Sequence, residues 1–164
     1  MTLNAEREAN MNCTIPYVKN AQVVVMKKGA GYTDTAFLAG KTVCAEIGSA
    51  GEGCVQEDAG LQQADYVGKS VQTDCLMEVK AGNADFAIID YQMAKAMVGQ
   101  GDYAALAINN AYEPESEVYA IGCRKGSDFT AEINKAIEKL SENGTLAALA
   151  EKYGLSNYVI TEFN

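Results

Sequence analysis

Three places in the sequence carry residue types and spacings that could hold the charged groups of a small ligand. The segment IGSAGE (47–52) follows a predicted strand and opens a helical stretch. At such a junction the backbone N–H groups of the helix start, together with the Ser49 hydroxyl, can bind an anion such as a carboxylate. The phosphate-loop pattern is absent, and a plain capped turn is the alternative interpretation.

An acidic and a basic residue complete the set. Asp90 directly follows the apolar run FAII (86–89), and a carboxylate at the end of a buried strand is well placed to receive an ammonium group. It could equally cap the helix that begins near Tyr91. Arg7, close to Thr2 in sequence, presents a planar fork that pairs with a carboxylate, although a lone exposed arginine is ordinarily a solvated charge.

Composition excludes several other kinds of chemistry. The 164-residue chain has no His, which removes Ser-His-Asp and Cys-His catalysis and histidine-ligated metal sites. Its formal net charge is −9, because 22 acidic residues outnumber 13 basic ones. An acidic surface disfavours nucleic acid and anionic lipid, which both attract Lys and Arg. We therefore expect no nucleic-acid partner.

The cysteines and the chain start carry weaker signals. The five cysteines have no CxxC spacing and lie in apolar or helical surroundings, at Cys13, Cys44, Cys54, Cys75 and Cys123. We expect small buried side chains, no metal site and no cofactor, and a single disulfide is the alternative that the sequence leaves undecided.

No apolar stretch approaches the ~20 residues of a membrane helix. We also expect no secretion signal in this chain, because no basic segment followed by an apolar one occurs at its start.

Local patterns predict an α/β architecture that positions these residues. Thr73 is predicted to cap a helix that ends at Gly82. Strands, with helices between most of them, are predicted over 21–28, 42–47, 65–72, 84–90, 105–110 and 116–125. This alternation indicates a sheet with helices on both of its faces.

Two further helices are predicted at the end of the chain. The first carries an apolar stripe at helical spacing, made by Phe129, Ile133, Ile137 and Leu140. Gly144 interrupts it, and Thr145 is predicted to cap the second helix.

Short motifs recur in a fixed order along the whole chain. They are MTLNAER (1–7) with CTIPY (13–17), LAGKTV (38–43), GSAGE (48–52), KAGNAD (80–85) with Asp90, YAI (119–121) with RKG (124–126), and NGTL (143–146) with KYG (152–154). Each motif alone is weak, but the ordered set is specific. It resembles the periplasmic amino-acid-binding proteins of polar amino-acid ABC transporters, which have the type II two-lobed fold.

The resemblance implies a site for a zwitterion. The family's α-carboxylate contacts fall on Thr2, Arg7, Ser49, Ala50 and Gly51. The family's α-ammonium acceptor falls on Asp90. The sequence departs from the family pattern where Asn4, Cys13 and Ala50 replace the usual Thr, Phe and Thr, so one hydroxyl contact is missing at Ala50.

The resemblance also implies an organisation into lobes. We expect one complete mixed or parallel sheet lobe with helices on both faces, plus a partial second lobe. The expected segments are a lobe-one remnant (1–20), an outgoing hinge strand (21–28), lobe two (29–112), a return hinge strand (113–125) and lobe-one helices (126–164). The implied partners are an amino-acid ligand and a membrane permease, and the implied location of the parent protein is extracytoplasmic, in the periplasm or as a cell-surface lipoprotein.

Two alternatives to ligand capture follow. Most of the family's first lobe has no counterpart here, so we expect weak or no ligand binding by this chain. The Phe129–Leu140 stripe would then need a partner, which favours a homo-oligomer with or without swapped terminal segments.

Some relatives of the fold are dehydratases that use an acidic cleft residue. Glu46 and Glu52 are the candidates for that role, but we expect no enzyme.

Overall fold

The computed structural model describes residues 1–109 and 116–163, which form two compact units. Unit 1 contains residues 1–20 and 116–163, and unit 2 contains residues 21–109. The predicted lobe two (29–112) and return strand (113–125) both include residues outside the described part of the chain.

The elements follow one another along the chain in a largely alternating order. They are α1 (Ala5–Asn10), β1 (Met11–Cys13), β2 (Val18–Asn20), β3 (Gln22–Lys27), β4 (Thr42–Glu46), α2 (Ala50–Glu57), β5 (Asp65–Lys69), α3 (Gln72–Ala81), β6 (Phe86–Asp90), α4 (Tyr91–Met97), β7 (Leu106–Asn109), β8 (Glu117–Tyr119), β9 (Gly122–Arg124), α5 (Phe129–Glu142) and α6 (Thr145–Lys152). Short 3₁₀ turns occupy Thr35–Leu38, Leu61–Gln63 and Gly101–Tyr103.

Unit 2 contains a five-stranded mixed sheet in the order β5-β4-β6-β3-β7. Strand β4 runs parallel to both β5 and β6, whereas β3 runs antiparallel to β6 and β7. The carboxyl ends of β4 and β6 therefore lie at the same end of the sheet, where the segment IGSAGE (47–52) follows β4 and Asp90 ends β6. The predicted α/β class with a mixed sheet is confirmed.

Both faces of this sheet are buried because consecutive valines of β3 point to opposite sides. Val23 and Val25 pack with Leu76 of α3, and Val24 packs with Val55 of α2 on the other face. Each such side chain, when fully buried, contributes about 1.5–3 kcal/mol to folding. The prediction of helices on both faces is thus confirmed.

The described residues of unit 1 form two small antiparallel sheets and three helices, α1, α5 and α6. Strand β1 pairs with β9, and β2 pairs with β8. The prediction of a single strand over 116–125 is wrong. The chain changes partner at Ala120, whose N–H donates to the Met1 carbonyl, and at Ile121, whose N–H donates to the Thr14 hydroxyl. Each half of the segment therefore pairs with a different strand.

Two predicted helix caps are also corrected. Helix α3 begins at Gln72, so Thr73 lies inside the first turn, and the N-cap residue is Val71. Helix α6 begins at Thr145 itself, and Gly144 in the left-handed conformation precedes it with φ 77°. In both cases the threonine that the sequence pattern favours as the N-cap lies inside the helix, one or two residues after the actual N-cap.

All five cysteines are free thiols. Cys44 and Cys75 are fully buried in the core of unit 2 and hydrogen-bond to each other. That hydrogen bond, followed by burial, raises the pKa of the Cys75 thiol. Cys13, Cys54 and Cys123 are half-buried. The prediction of small buried side chains is therefore met by Cys44 and Cys75 but not by the other three.

Residues 1–109 and 116–163 contain neither a membrane-spanning helix nor a cluster of metal-binding side chains. No helix in those ranges is both long and apolar enough to cross a membrane. No three acidic or cysteine side chains there gather into a group that could hold a metal ion.

Candidate functional site

The first predicted site segment forms the start of α2. Ser49 is the N-cap, and its hydroxyl accepts a hydrogen bond from the Glu52 N–H at 3.2 Å. The next two residues, Ala50 and Gly51, lie in the first helical turn, whose N–H groups have no partners within a helix. The plain capped turn and the potential anion site therefore coexist at the same residues.

The Glu52 carboxylate already occupies part of this helix start. It accepts hydrogen bonds from the Gly48 N–H at 2.7 Å and from the Tyr66 hydroxyl at 2.8 Å. The bond from Gly48 and then the bond from Tyr66 hold the pKa of Glu52 below its ordinary value. Glu52, which the sequence offered as an acidic catalytic candidate, is therefore an ionised residue that stabilises the α2 turn.

Gly51 is buried where α2 packs against β6. A Cβ atom at this position would lie 2.7 Å from the Ile88 carbonyl oxygen and 3.2 Å from the Gln22 Oε1 atom. Since side-chain atoms do not approach a carbonyl oxygen that closely, only glycine permits this contact. The absence of a side chain at Gly51 thus sets how near the α2 start lies to the end of β6, two residues before Asp90.

Asp90 ends β6, and two glutamine side chains hold its carboxylate. Gln22 Nε2 donates to Oδ1 at 2.8 Å, and Gln72 Nε2 donates to Oδ2 at 2.5 Å. The Gln72 Oε1 atom also accepts the Asp90 backbone N–H at 3.0 Å. Gln72 therefore binds Asp90 through both ends of its amide, and the half-buried carboxylate has a fixed orientation.

This arrangement corrects one interpretation of Asp90 and adds two residues. Asp90 occupies the N-cap position of α4, but its side chain makes no capping hydrogen bond. Sequence reasoning missed Gln22 and Gln72. Gln22 begins an otherwise apolar strand and lies directly opposite Asp90 in the β3–β6 register. A polar residue at the start of such a strand was the one signal that could have found it.

Thr2 and Arg7 lie together in unit 1. Thr2 is buried and forms an isolated bridge with Tyr119. The Arg7 Nη1 atom donates to the Thr2 carbonyl oxygen at 2.7 Å, and the Arg7 N–H donates to Asn4 Oδ1 at 2.9 Å. This anchoring holds a guanidinium, whose planar shape and positive charge are of the kind that pairs with a carboxylate.

In unit 2 the arrangement combines two opposite electrostatic features at one end of the sheet. The α2 start offers N–H groups and the positive end of a helix dipole, and Asp90 offers an oriented carboxylate. A ligand that carries a carboxylate and an ammonium group on neighbouring atoms has the complementary charges. The structure thus brings together Ser49, Ala50, Gly51 and Asp90 within one unit, and Thr2 and Arg7 within the other.

Comparison with known proteins connects this geometry to a family. Residues 1–156 match the model of the bacterial extracellular solute-binding proteins, family 3. The chain is similar to the arginine-binding extracellular protein ArtP of Bacillus subtilis, with 28% identity over 158 residues that cover 93% of this chain and 60% of ArtP. It is also similar to the L-cystine-binding protein TcyJ of Escherichia coli, with 26% identity over 93% of this chain and 57% of TcyJ.

A solved structure shows the same likeness. The amino acid ABC transporter substrate-binding protein AbpA of Streptococcus pneumoniae, bound to L-arginine, superposes with a TM-score of 0.82 and 28% identity. The match covers 95% of this chain and 66% of that chain. The chain therefore spans less than two thirds of the length of each of these relatives.

Proposed function

The chain belongs to the bacterial extracellular solute-binding proteins, family 3, and from that premise we propose that it holds a polar amino acid through the ligand's carboxylate and ammonium groups. Its fold is of the type II periplasmic-binding-protein kind, and its family consists of solute-binding proteins. The proposed biological role is that of the substrate-binding component, or part of one, of an amino-acid ABC transporter. Such a component works outside the cytoplasm and delivers its ligand to the transporter's membrane permease.

The oriented Asp90 carboxylate carries the proposal. Two carboxamide donors, at 2.8 and 2.5 Å, fix both of its oxygens. A carboxylate held in this way has lost its rotational freedom before a ligand arrives, so binding an ammonium group costs little further ordering. A charged hydrogen bond from that ammonium is of the strong kind. Asp90 is the proposed acceptor of the ligand's α-ammonium group.

Each unit, taken by itself, has residues that we propose as carboxylate contacts. In unit 2 they are the α2 start residues Ser49, Ala50 and Gly51, although the ionised Glu52 beside them weakens the positive potential there. In unit 1 they are Arg7 and Thr2. Arg7 is proposed because its guanidinium, anchored on the Thr2 carbonyl, has the shape and charge that pair with a carboxylate.

A titration followed by nuclear magnetic resonance tests the proposal, because the side-chain amides of Gln22 and Gln72 report on Asp90. We expect L-arginine, the ligand named for two of the relatives, to shift both amide signals saturably. Agmatine, which lacks the carboxylate, and guanidinovalerate, which lacks the α-ammonium group, should both bind more weakly. If no polar amino acid shifts either signal at millimolar concentration, the proposal is overturned in favour of the alternative, a chain that binds no ligand.

Exposed apolar residues in unit 1 favour a second candidate, a chain that assembles with its own copies. On α5 and α6, Phe129 is 65% exposed and Leu149 is 44% exposed, and Tyr153 just beyond α6 is 66% exposed. Ile137 of the predicted stripe is buried and Ile133 is half-buried, so the stripe is partly covered. Pairing of these helices between two copies would remove the remaining apolar surface from water.

Light scattering separates this candidate from ligand capture. If the helices carry the assembly, Phe129→Ser with Leu149→Ser should shift the wild-type oligomer towards monomer, because each replacement removes a large apolar side chain from the interface. Val71→Ser, at a valine of unit 2 that is 45% exposed, is the control. A wild-type chain that is monomeric at high micromolar concentration would eliminate the candidate.

A further inference from the structure

Strand β5 is an edge of the five-stranded sheet in unit 2. It pairs with β4 on one side, and no other strand in the described part of the chain pairs with it. The strand contains neither proline nor a bulge, two of the devices that keep an edge from pairing with another chain, and its charged residues lie only at its two ends. Its apolar residues Tyr66 and Val67 are 38% and 37% exposed.

The hydrogen bonds to β4 fix which residues face the open edge. The Asp65 N–H donates to the Lys41 carbonyl, and the Lys69 carbonyl accepts from the Ile47 N–H. In a parallel pair, alternate residues turn their peptide groups to the same neighbour. Asp65, Val67 and Lys69 therefore face β4, and the N–H and C=O groups of Tyr66 and Gly68 point out of the edge.

We propose that β5 pairs antiparallel with β5 of a second copy of this chain, about a two-fold axis at Val67. In that register Tyr66 lies opposite Gly68 of the partner subunit. The two outward-facing peptide groups then exchange hydrogen bonds on both sides of the axis, as a hydrogen-bonded antiparallel pair requires. The two sheets of five strands become one continuous sheet of ten.

Charge complementarity selects a second copy as the partner. Asp65, which is exposed, lies opposite Lys69 of the partner subunit, and the symmetry repeats this pair of opposite charges. Lys69 also bonds Glu78 of its own chain at 2.6 Å, so the contact extends an existing ion pair.

The side chains on the edge leave the approach open. The Tyr66 hydroxyl bonds Glu52 of its own chain, and Tyr66 and Ile47 fill the space over Gly68. The tyrosine ring therefore lies along its own strand. Val67 meets Val67 of the partner subunit at the axis, in a non-hydrogen-bonded pair whose Cα atoms lie about 4.5 Å apart.

Cysteine cross-linking tests this register. A Cα separation near 4.5 Å falls within the range that a disulfide spans, so Val67→Cys should give a disulfide-linked dimer in a glutathione buffer. Val71→Cys is the matched control, because Val71 is also an exposed valine but lies outside the strand. The wild-type chain gives the background from the native thiols. Cross-linking of Val67→Cys at or below that of the control overturns the proposal.

A charge exchange provides a second and independent measurement. In sedimentation velocity, Asp65→Lys should weaken dimerisation about tenfold, since two exposed ion pairs are lost. Lys69→Asp alone should do the same, and mixing the two variants should restore a heterodimer. Phe129→Ser should leave this dimer intact. A monomeric wild-type chain at high micromolar concentration, or a dimer that responds to Phe129→Ser alone, overturns the proposal without bearing on amino-acid binding.

Discussion

Replacement of Asp90 by asparagine is expected to lower the affinity for an amino acid about 10- to 100-fold. The physical reason is that a hydrogen bond to a charged group contributes about 1.5–3 kcal/mol, and about 1.4 kcal/mol corresponds to a tenfold change in Kd. Asparagine keeps the size of the side chain but removes the negative charge. It also places an NH₂ group where Gln22 or Gln72 now donates. Calorimetric titration of the wild type and of Asp90→Asn measures the loss.

Two controls separate a binding role from a structural one. Asp102→Asn removes a carboxylate that is 90% exposed and pairs with Lys80 on the surface, so it should leave the affinity unchanged. The des-amino analogue guanidinovalerate should bind the wild type and Asp90→Asn equally, because it has no ammonium group for Asp90 to receive. An equal loss of affinity for both ligands would show that Asp90 only supports the fold, and an unchanged affinity for L-arginine would remove Asp90 from the site.

Gly51→Ala is expected to destabilise the protein by about 1–3 kcal/mol, the usual cost of forcing extra volume into a packed contact. The new Cβ would lie 2.7 Å from the backbone oxygen of Ile88, an atom that cannot rotate away. Helix α2 must then move off β6 and carry the Ser49 end of the helix with it. We expect weaker ligand binding together with a lower free energy of unfolding, measured by urea denaturation and titration.

Gly53 provides a matched control two residues along the same helix. No atom lies within 4 Å of a Cβ built at Gly53, so Gly53→Ala should stabilise the helix by about 0.5–1 kcal/mol through propensity alone. The two variants make the same chemical change and should have effects of opposite sign. If Gly51→Ala also stabilises the protein, the close approach of α2 to β6 is not a constraint on this fold.

Much of the architecture could be predicted from local sequence patterns. The run QVVV with its apolar neighbours forms β3, FAIID forms β6, and the small-residue segment after β4 opens α2. The predicted strand over 116–125 and the caps at Thr73 and Thr145 failed. Those predictions depended on where a segment changes its partner or begins to turn, and neither is decided by neighbouring residues.

The candidate site was predictable only where its signals come from neighbouring residues. Asp90 and Ser49 could be found because a polar residue follows an apolar run at a strand end, which is a local signal. The role of Gln72 was invisible because its partner lies 18 residues away, and that of Gln22 because its partner lies 68 residues away. Only the pairing of β3 with β6 and the position of α3 bring those amides to the Asp90 carboxylate.

The sequence by itself determined which residues of this protein carry charge at strand ends and helix starts, and that its elements alternate. The tertiary structure decided that Asp90 is held by two amides rather than capping α4, that Gly51 admits no side chain, and that β5 lies at the edge of the sheet. The physical reason is that periodicity and capping act over a few neighbouring residues, whereas strand order, register and close packing arise from contacts between distant segments.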